Sequence, residues 1–210
     1  MKGILITLEG NDGSGKSSVI EAIRKTLEEK GYPVVYTREP GGSQIAENIR
    51  KVILDVENTG MDAKTEALLY AASRREHIEK TIRPALEAGK IVLCDRFIDS
   101  SLAYQGYARG LGIDEVYHMN LYATEGLLPD LTILVCVKPE IGIARITQNH
   151  RGELDRLESE KIEFHQKVYQ GYLAVQKKFP TRIQMIDGEK TKEEVRLDAL
   201  DIVLRFIGEN

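Results

Sequence analysis

The chain is poor in several features that mark whole classes of protein. Its 210 residues contain two cysteines, Cys94 and Cys136, both within apolar, strand-like runs. We therefore expect two buried thiols that pack as small hydrophobic side chains, and no disulfide. No stretch approaches the ~18 apolar residues of a membrane-spanning helix, and the apolar run after the first residues is too short for a signal peptide. These absences predict a cytoplasmic protein with no membrane partner.

The chain also lacks an excess of positive charge. It has 29 lysine and arginine residues against 33 aspartate and glutamate residues, a net charge of -4. A nucleic-acid-binding surface needs a basic stripe, so we expect no nucleic-acid partner, whereas small anionic ligands remain open. No repeat, linker or low-complexity tract divides the sequence, and its length suits a single α/β domain across residues 1–210.

Short apolar runs alternate with segments of helical periodicity along the chain. Strands are predicted at residues 4–8, 34–37, 91–94, 131–137 and 183–186. Helices are predicted at residues 16–30, 44–56, 64–88, 113–128, 140–148, 158–178 and 192–207. This alternation is typical of an α/β protein with a five-stranded parallel sheet and helices on both faces. A polar stretch within residues 145–157 fits either an ordinary loop or a mobile lid.

A glycine-rich loop directly follows the first predicted strand. Residues 10–17 read G-N-D-G-S-G-K-S, the spacing of a phosphate-binding loop, and a helix is predicted after it. Glycine permits the backbone torsions that turn successive N–H groups toward an anion. We expect Lys16 to reach the β- and γ-phosphates of a bound nucleotide and the Ser17 hydroxyl to contact Mg²⁺. The predicted nucleotide-binding residues are Gly10, Asn11, Asp12, Gly13, Ser14, Gly15, Lys16, Ser17 and Ser18.

Charged and polar side chains also follow the second and third predicted strands. R-E-P-G-G begins at Arg38, and D-R-F-I-D-S-S-L-A-Y-Q-G begins at Asp95. Ligands bind at the carboxyl ends of the strands in open parallel sheets, so these segments should face the phosphate loop. Asp95 is placed to contact Mg²⁺ through water, and the planar guanidinium of Arg96 suits a phosphate. Taken alone, the segments also fit an ordinary loop and a solvated helix start.

The long predicted helix at residues 64–88 carries a further pattern. Tyr70 and Arg74 are four residues apart and share one helical face. A ring beside a guanidinium can stack on a base and hydrogen-bond its edge, although Tyr70 also fits simple core packing. We expect Arg75, Glu76 and His77 to lie on the solvated surface.

Taken together, these motifs resemble those of the bacterial thymidylate kinases. The resemblance runs nearly end to end and rests on the phosphate loop, R-E-P-G-G, T-E-A-L-L-Y-A-A-S-R-R-E-H, D-R-F-I-D-S-S-L-A-Y-Q-G-Y-A-R-G, P-D-L-T and R-G-E-L-D-R. It implies a P-loop nucleoside monophosphate kinase fold and transfer of the ATP γ-phosphoryl group to dTMP, with Mg²⁺, to give dTDP and ADP. It also implies a homodimer.

The same resemblance assigns roles to residues of this chain. It places Arg38 and Arg96, with Arg50 as a third contact, on the dTMP phosphate, and Asp12 near the sugar 3′-hydroxyl. It places Tyr104 where it blocks a 2′-hydroxyl. The residues implied at the thymine are Arg74, Ser101 and Gln105 along its edge and Tyr70 at the stacking position, where phenylalanine is usual.

The family resemblance also bears on the catalytic arginine. Some members carry a basic residue at the loop position held here by Gly13, and others take an arginine from the lid. With Arg145, Arg151 and Arg156 around the lid, this chain resembles the second type. The implied catalytic residues are Lys16, Arg96, Arg151 and Arg156.

Two alternatives remain open at this point. The first is a P-loop kinase for another nucleotide or for a nucleoside, which would need a general base to take the hydroxyl proton. The second is a nucleotide-dependent switch or binding ATPase. The sequence has no N-K-x-D guanine motif, and Asn11 and Asp12 stand where partitioning ATPases usually have a second lysine.

Overall fold

The computed structural model describes residues 3–149 and 155–208, and within them one sheet of five parallel strands. The strands are β1 (Ile4–Glu9), β2 (Val34–Arg38), β3 (Ile91–Asp95), β4 (Leu131–Cys136) and β5 (Ile183–Asp187). Their order in the sheet is β2-β3-β1-β4-β5. The predicted five-stranded parallel sheet is confirmed, and each strand end lies within one residue of its prediction.

Helices connect the strands and cover both faces of the sheet. They are α1 (Lys16–Glu29), α2 (Gln44–Leu54), α3 (Ala63–His77), α4 (Arg83–Glu87), α5 (Ile98–Ser101), α6 (Ile113–Thr124), α7 (Pro139–Asn149), α8 (Ile162–Lys178) and α9 (Lys192–Phe206). A 3₁₀ turn (Val56–Asn58) follows α2, and π-helical segments follow α3 (Ile78–Ile82) and α5 (Leu102–Ala108). Within the described residues, no helix is both long and apolar enough to cross a membrane.

The helical segment from α5 to residue 108 is absent from the sequence-based helix prediction. Its residues are almost all buried, including the polar Asp99, Ser100, Ser101 and Gln105. A segment buried on every side has no amphipathic period, so the usual signal for a helix is missing. Ser100 and Gln105 line the site described below. Ser101 contacts Arg74, and Asp99 pairs with Arg182.

Two hydrophobic cores pack against the two faces of the sheet. Along β1, Leu5 contacts one core, and Ile6 and Leu8 contact the other. The second core is closed by apolar residues of α1 and α9, such as Ile23 and Ala199. The first core receives α3, α6, α8 and the segment after α5. Full burial of one such aliphatic side chain stabilises the fold by about 1.5–3 kcal/mol.

The two cysteines lie at different depths. Cys94 is fully buried, as predicted, whereas Cys136 is only half-buried at the end of β4. Both are free thiols, and burial raises the pKa of Cys136 to about 11. Neither therefore carries thiolate chemistry at neutral pH.

The sheet order reverses direction between β1 and β4, and this point positions the site. The chain leaves β1 toward β3 and β2 on one side, while β4 and β5 extend the sheet on the other. The register aligns Leu8 and Arg38 with Asp95, so the carboxyl ends of β1, β2 and β3 lie level. Ligands in open α/β sheets bind in the crevice at such a reversal.

Candidate active site

A cavity of about 1040 Å³ opens at the carboxyl ends of these strands. Its walls come from the β1–α1 loop, the ends of β2 and β3, α3, the segment after α5, α7 and the β5–α9 loop. The sequence-predicted residues that line it are Asp12, Gly13, Ser14, Gly15, Lys16, Ser17, Ser18, Arg38, Arg50, Tyr70, Arg74, Asp95, Arg96, Tyr104 and Gln105. The cavity therefore joins the phosphate loop to the three clusters that the sequence singled out.

The phosphate loop ends at the N-terminus of α1. Gly15 lies in the left-handed region at φ 94°, and no side chain among the described residues caps the helix. The N–H groups of Lys16 and Ser17 can therefore face an anion. Lys16 Nζ donates to Gly10 O at 2.9 Å and to Asn11 O at 3.1 Å. Burial and the charge of Arg96 lower the pKa of Lys16 to about 8. Phosphate oxygens would replace these carbonyl acceptors with charged ones.

Gly13 has no space for a side chain. It lies at φ 73°, and a Cβ there would come within 2.1 Å of Gly142 O on α7. Gly142 in turn packs against the backbone of Asp12. The phosphate loop and α7 therefore touch through two facing glycines.

Asp95 and Ser17 provide oxygen atoms suited to a magnesium ion. Both line the cavity, and Asp95 Oδ1 is buried with no hydrogen-bond partner among the described residues. An unpaired buried carboxylate oxygen is costly unless a ligand satisfies it. Carboxylate and hydroxyl oxygens are the ligands that Mg²⁺ accepts alongside phosphate oxygens and water, so these residues fit the ion.

Arg96 stands at the centre of the site with its guanidinium held on both sides. Nη2 donates to Asp12 Oδ1 at 2.6 Å, and Nη1 donates to Tyr172 OH at 2.9 Å and to Ser100 Oγ at 3.2 Å. The planar group also lies over the Tyr104 ring, 5.3 Å from its centroid. Arg96 has a φ of 68°, which is unusual for a residue other than glycine. Such a conformation persists at functional sites where the surroundings impose it.

Asp12 links Arg96 to Tyr104. Its second oxygen accepts a hydrogen bond from Tyr104 OH at 3.0 Å. Burial alone would raise the pKa of Asp12, but the charges of Arg96 and Lys16 outweigh it and lower the pKa to about 2. Asp12 is therefore a carboxylate at every physiological pH, and its charge holds the Arg96 and Tyr104 side chains in place.

Glu9 stabilises this arrangement through hydrogen bonds, and the sequence analysis did not identify it. It is fully buried and accepts hydrogen bonds from Phe97 N at 2.7 Å, Ser100 Oγ at 2.5 Å and Tyr172 OH at 3.0 Å. Burial and the nearby Asp99 raise the pKa of Glu9 to about 7. A charged residue at the end of an otherwise apolar strand was the signal available for Glu9, whereas nothing in the pattern of α8 singles out Tyr172.

Arg38 and Arg50 converge at one edge of the cavity. Arg38 Nη1 and Arg50 Nη1 donate to the same carbonyl, Pro40 O, at 2.8 and 2.9 Å. Arg38 also pairs with Glu47 at 3.1 Å. Burial and the charge of Arg38 lower the pKa of Arg50. Two neighbouring guanidinium groups that share a neutral acceptor form an electropositive edge suited to a phosphate.

Arg74 and Tyr70 line the cavity from α3. Arg74 is fully buried and donates through Nε to Glu39 at 2.8 Å and through Nη2 to Phe97 O at 2.9 Å. Its Nη1 donates to Ser101 at 3.1 Å and also to Asn120. Of the five N–H groups of a guanidinium, one on Nη2 is left for a ligand.

Ser101 therefore contacts Arg74, and it does not line the cavity. Asn120, on α6, was not found from the sequence. It is fully buried, and its Nδ2 donates to Val116 O at 2.8 Å, so that Oδ1 faces Arg74. A single asparagine in a helix with no other chemical pattern gives no signal of such a role.

His77 corrects one prediction directly. It was expected on the surface but is fully buried, with Nδ1 2.9 Å from Glu39 Oε1 and Nε2 2.6 Å from Thr37 Oγ1. Because a carboxylate only accepts, Nδ1 carries the proton. The surface prediction for His77 was wrong because this last residue of the polar run R-R-E-H hydrogen-bonds with Thr37 on β2. Arg75 and Glu76 are partly exposed.

The three lid arginines lie in different settings. Arg145 lines the cavity, and its Nη1 donates to Gly188 O at 3.0 Å. Arg151 lies outside the described residues. Arg156 is buried, donates to Ile53 O at 2.7 Å and pairs with Glu66 at 2.7 Å. Arg156 thus differs from the expected mobile lid arginine, because these bonds fix it to α2 and α3.

Comparison with known proteins identifies the family. A family model described as "Thymidylate kinase" matches residues 8–199. The thymidylate kinase of Bacillus velezensis is 55% identical over 203 residues, which cover 97% of this chain and 96% of that protein. The chain belongs to the thymidylate kinase family. The thymidylate kinase of Clostridium novyi is 51% identical over 194 residues, which cover 92% of this chain and 95% of the relative.

A solved structure agrees with the family assignment. The crystal structure of thymidylate kinase from Ehrlichia chaffeensis matches with a TM-score of 0.76 and 32% sequence identity, covering 97% of this chain and 99% of that one. The resemblance inferred from the motifs is confirmed, and so is the predicted P-loop nucleoside monophosphate kinase fold.

Proposed function

We propose that this protein transfers the γ-phosphoryl group of ATP to dTMP, giving dTDP and ADP. The observation that carries the proposal is one cavity lined both by the phosphate loop and by Tyr70, Arg74 and Gln105. Arg96 bonds to Asp12 of the loop and lies over the ring of Tyr104 in the same cavity. A single cavity with a phosphate loop, several arginines and an aromatic ring suits two nucleotides that meet phosphate to phosphate. Family membership supports it against a switch or a binding ATPase.

The reaction requires the protein to position the two phosphate groups and to compensate their negative charge. A phosphate monoester has a second pKa of ~6, so dTMP is already mostly a dianionic nucleophile at neutral pH and no general base is needed. The difficulty is to bring two anionic groups in line. We assign Lys16 to the ATP phosphates and Arg96, Arg38 and Arg50 to the acceptor phosphate.

We propose Mg²⁺ as the cofactor, held by Ser17 directly and by Asp95 through water. When bound, the ion neutralises charge that develops on the phosphate oxygens. The unpaired oxygen of Asp95 supports this assignment.

The sugar and base assignments follow from the other contacts. We place Asp12 at the 3′-hydroxyl, and we place the Tyr104 ring where a 2′-hydroxyl would project, because its own hydroxyl is tied to Asp12. Tyr70 stacks on thymine in this proposal, and Arg74 donates its remaining N–H to O4. Ser101 and Asn120 act through Arg74 by holding its guanidinium.

We further propose that a lid arginine completes the site on closure. Arg151 takes this role, with Arg145 close to the ATP side of the cavity. The buried position of Arg156 favours a structural task at the lid's end over direct catalysis.

A homodimer and a cytoplasmic location are further proposals. Three apolar residues on the adjacent helices α2 and α3 are exposed, namely Ile45 at 52%, Val52 at 47% and Leu68 at 57%. A second copy that covers this face would remove them from water. Light scattering of the purified protein, with Leu68→Lys as the variant expected to shift it to monomer, tests the dimer.

A substrate panel tests the activity. ADP release from ATP and Mg²⁺ is measured with dTMP, dUMP, UMP and dCMP in turn. Loss of one methyl group costs roughly 10- to 200-fold in kcat/KM, so dUMP should be a poor substrate and UMP poorer still. We expect strong rejection of dCMP, whose amino group meets the Arg74 donor. A preference for dCMP would support the alternative kinase and contradict the proposal.

A further inference from the structure

Glu66 lies at the centre of a buried cluster behind the base end of the cavity. It is fully buried on α3. Its Oε1 accepts from Gln105 Nε2 at 2.9 Å and from Arg109 Nε at 3.3 Å. Its Oε2 pairs with Arg109 Nη2 at 3.2 Å and with Arg156 Nη2 at 2.7 Å. Glu66 does not itself line the cavity, whereas Gln105 does.

The cluster keeps Glu66 ionised. Burial alone would raise the pKa of Glu66, but the hydrogen bonds from Gln105 and Arg109 outweigh it and lower the pKa. Arg109 has a second carboxylate partner, Glu160, at 2.6 Å. The buried guanidinium group of Arg156 and the partly exposed one of Arg109 therefore surround an anion that can only accept hydrogen bonds.

An acceptor-only neighbour fixes the orientation of the Gln105 amide. The amide has a donating NH₂ and an accepting carbonyl oxygen, and only the NH₂ can face a carboxylate. The Gln105 carbonyl oxygen is then the polar atom left over, and no described residue donates a hydrogen bond to it. Since Gln105 lines the cavity, this oxygen is available to a ligand.

We infer that Glu66 is a positioning residue that sets base selectivity, because it locks Gln105 with its carbonyl oxygen toward the acceptor base. This inference rests on the proposed function. Thymine offers an N3–H donor at the position where cytosine has an N3 lone pair. A freely turning glutamine could satisfy either base by rotating its amide, whereas the locked one accepts only from thymine or uracil.

The decisive variant is Glu66→Gln, which has nearly the same shape. The amide introduced at position 66 can present either an oxygen or an NH₂ to Gln105, so both orientations of Gln105 become acceptable. We expect the ratio of kcat/KM for dTMP to that for dCMP to fall by about tenfold or more. The change should appear in the KM for each acceptor, with the KM for ATP unaltered.

A matched control separates this effect from loss of a carboxylate in general. Glu79→Gln removes a carboxylate from the π-helical segment that follows α3, where Glu79 pairs with Arg75 and Arg83 and is partly exposed. This control should leave the dTMP to dCMP ratio unchanged. General loosening of the site by Glu66→Gln would lower both activities together and also leave the ratio unchanged.

A second variant provides a test if Glu66→Gln does not fold. The double change Glu66→Gln with Gln105→Glu keeps one carboxylate and one amide in the hydrogen-bonded pair of positions 66 and 105. The carboxylate introduced at position 105 accepts only, so the double variant should recover most of the wild-type ratio.

The outcomes separate the inference from the proposed function. A folded Glu66→Gln protein with the wild-type ratio would overturn the inference alone, and so would a double variant that lacks selectivity. If Glu66→Gln does not fold, the double variant decides in the same way. An unmodified enzyme without preference for dTMP would overturn the proposed function, and the inference with it.

Discussion

Replacement of Arg96 by lysine tests the centre of the site with little disturbance to the fold. Lysine keeps the positive charge and, like arginine, has a Cβ, so the strain at φ 68° is the same in both proteins. What is lost is the planar fork. In the structure, that fork spans Asp12 on one side and the Ser100 and Tyr172 hydroxyls on the other.

The magnitude follows from the contacts. A single ammonium nitrogen cannot occupy both ends of this span, so at least one charge-assisted hydrogen bond is lost in the complex. Such a bond contributes about 1.5–3 kcal/mol, which corresponds to roughly 10- to 150-fold in kcat/KM for dTMP. Arg96 is largely shielded, with its side chain 17% exposed, so solvent screening reduces this little.

Steady-state kinetics with each substrate varied in turn provide the assay. We expect a higher KM for dTMP and a lower kcat, with the KM for ATP nearly unaltered. Arg24→Lys is the matched control, because Arg24 lies on the outer face of α1 and, among the described residues, pairs with Glu21 and Glu28 alone. A selective rise in the KM for ATP would show that Arg96 serves the other phosphate and would refute the reasoning.

Four further outcomes are expected. Lys16→Ala should lower kcat by about a hundredfold or more in a folded protein, as judged by circular dichroism, and a normal kcat would refute the phosphate-loop assignment. The pKa of Lys16 is lowered to about 8, and bound phosphate should raise it again because it stabilises the ammonium form. ATP affinity measured by calorimetry should therefore be full below pH ~8 and fall above it, by up to tenfold per pH unit. An affinity that does not change with pH would contradict this. Tyr172→Phe removes one hydroxyl from Arg96 and Glu9 and should cost about 1 kcal/mol in kcat/KM for dTMP, whereas Tyr169→Phe on the same helix should not. Arg156→Ala breaks a buried ion pair and should destabilise the protein to thermal unfolding by about 3–5 kcal/mol, while Arg151→Ala should lower kcat without weakening dTMP binding. If Arg151→Ala destabilised the protein and Arg156→Ala lowered kcat, the two assignments would have to be exchanged.

The sequence predicted those features that a local pattern encodes. Strand and loop positions follow from apolar runs and from glycine spacing, so the sheet and the phosphate loop could be located before the structure. Arg38 and Arg96 could be placed at the site because Arg38 ends β2 and Arg96 directly follows β3, and the carboxyl ends of parallel strands share one edge.

The supporting residues could not be predicted, because their roles depend on long-range pairing. Tyr172 reaches Arg96 across 76 positions of the chain, and Asn120 reaches Arg74 across 46. His77 was read as solvated because its partner Glu39 lies 38 positions away. Nothing local marks these positions, since the tertiary fold alone brings the paired groups into hydrogen-bond distance.

The contact between Gly13 and Gly142 has a consequence for how the family could diversify. A basic residue introduced at position 13 meets the α7 backbone at 2.1 Å, and the positive φ of 73° adds strain to any side chain there. Backbone cannot turn aside as a flexible side chain can, so α7 itself would have to shift, and α7 leads directly into the lid. A basic side chain at position 13 is therefore incompatible with the position that α7 has in this chain. If a lid arginine acts as we propose, its exchange for a loop-borne one requires a concerted change in both segments, and no single substitution can accomplish it.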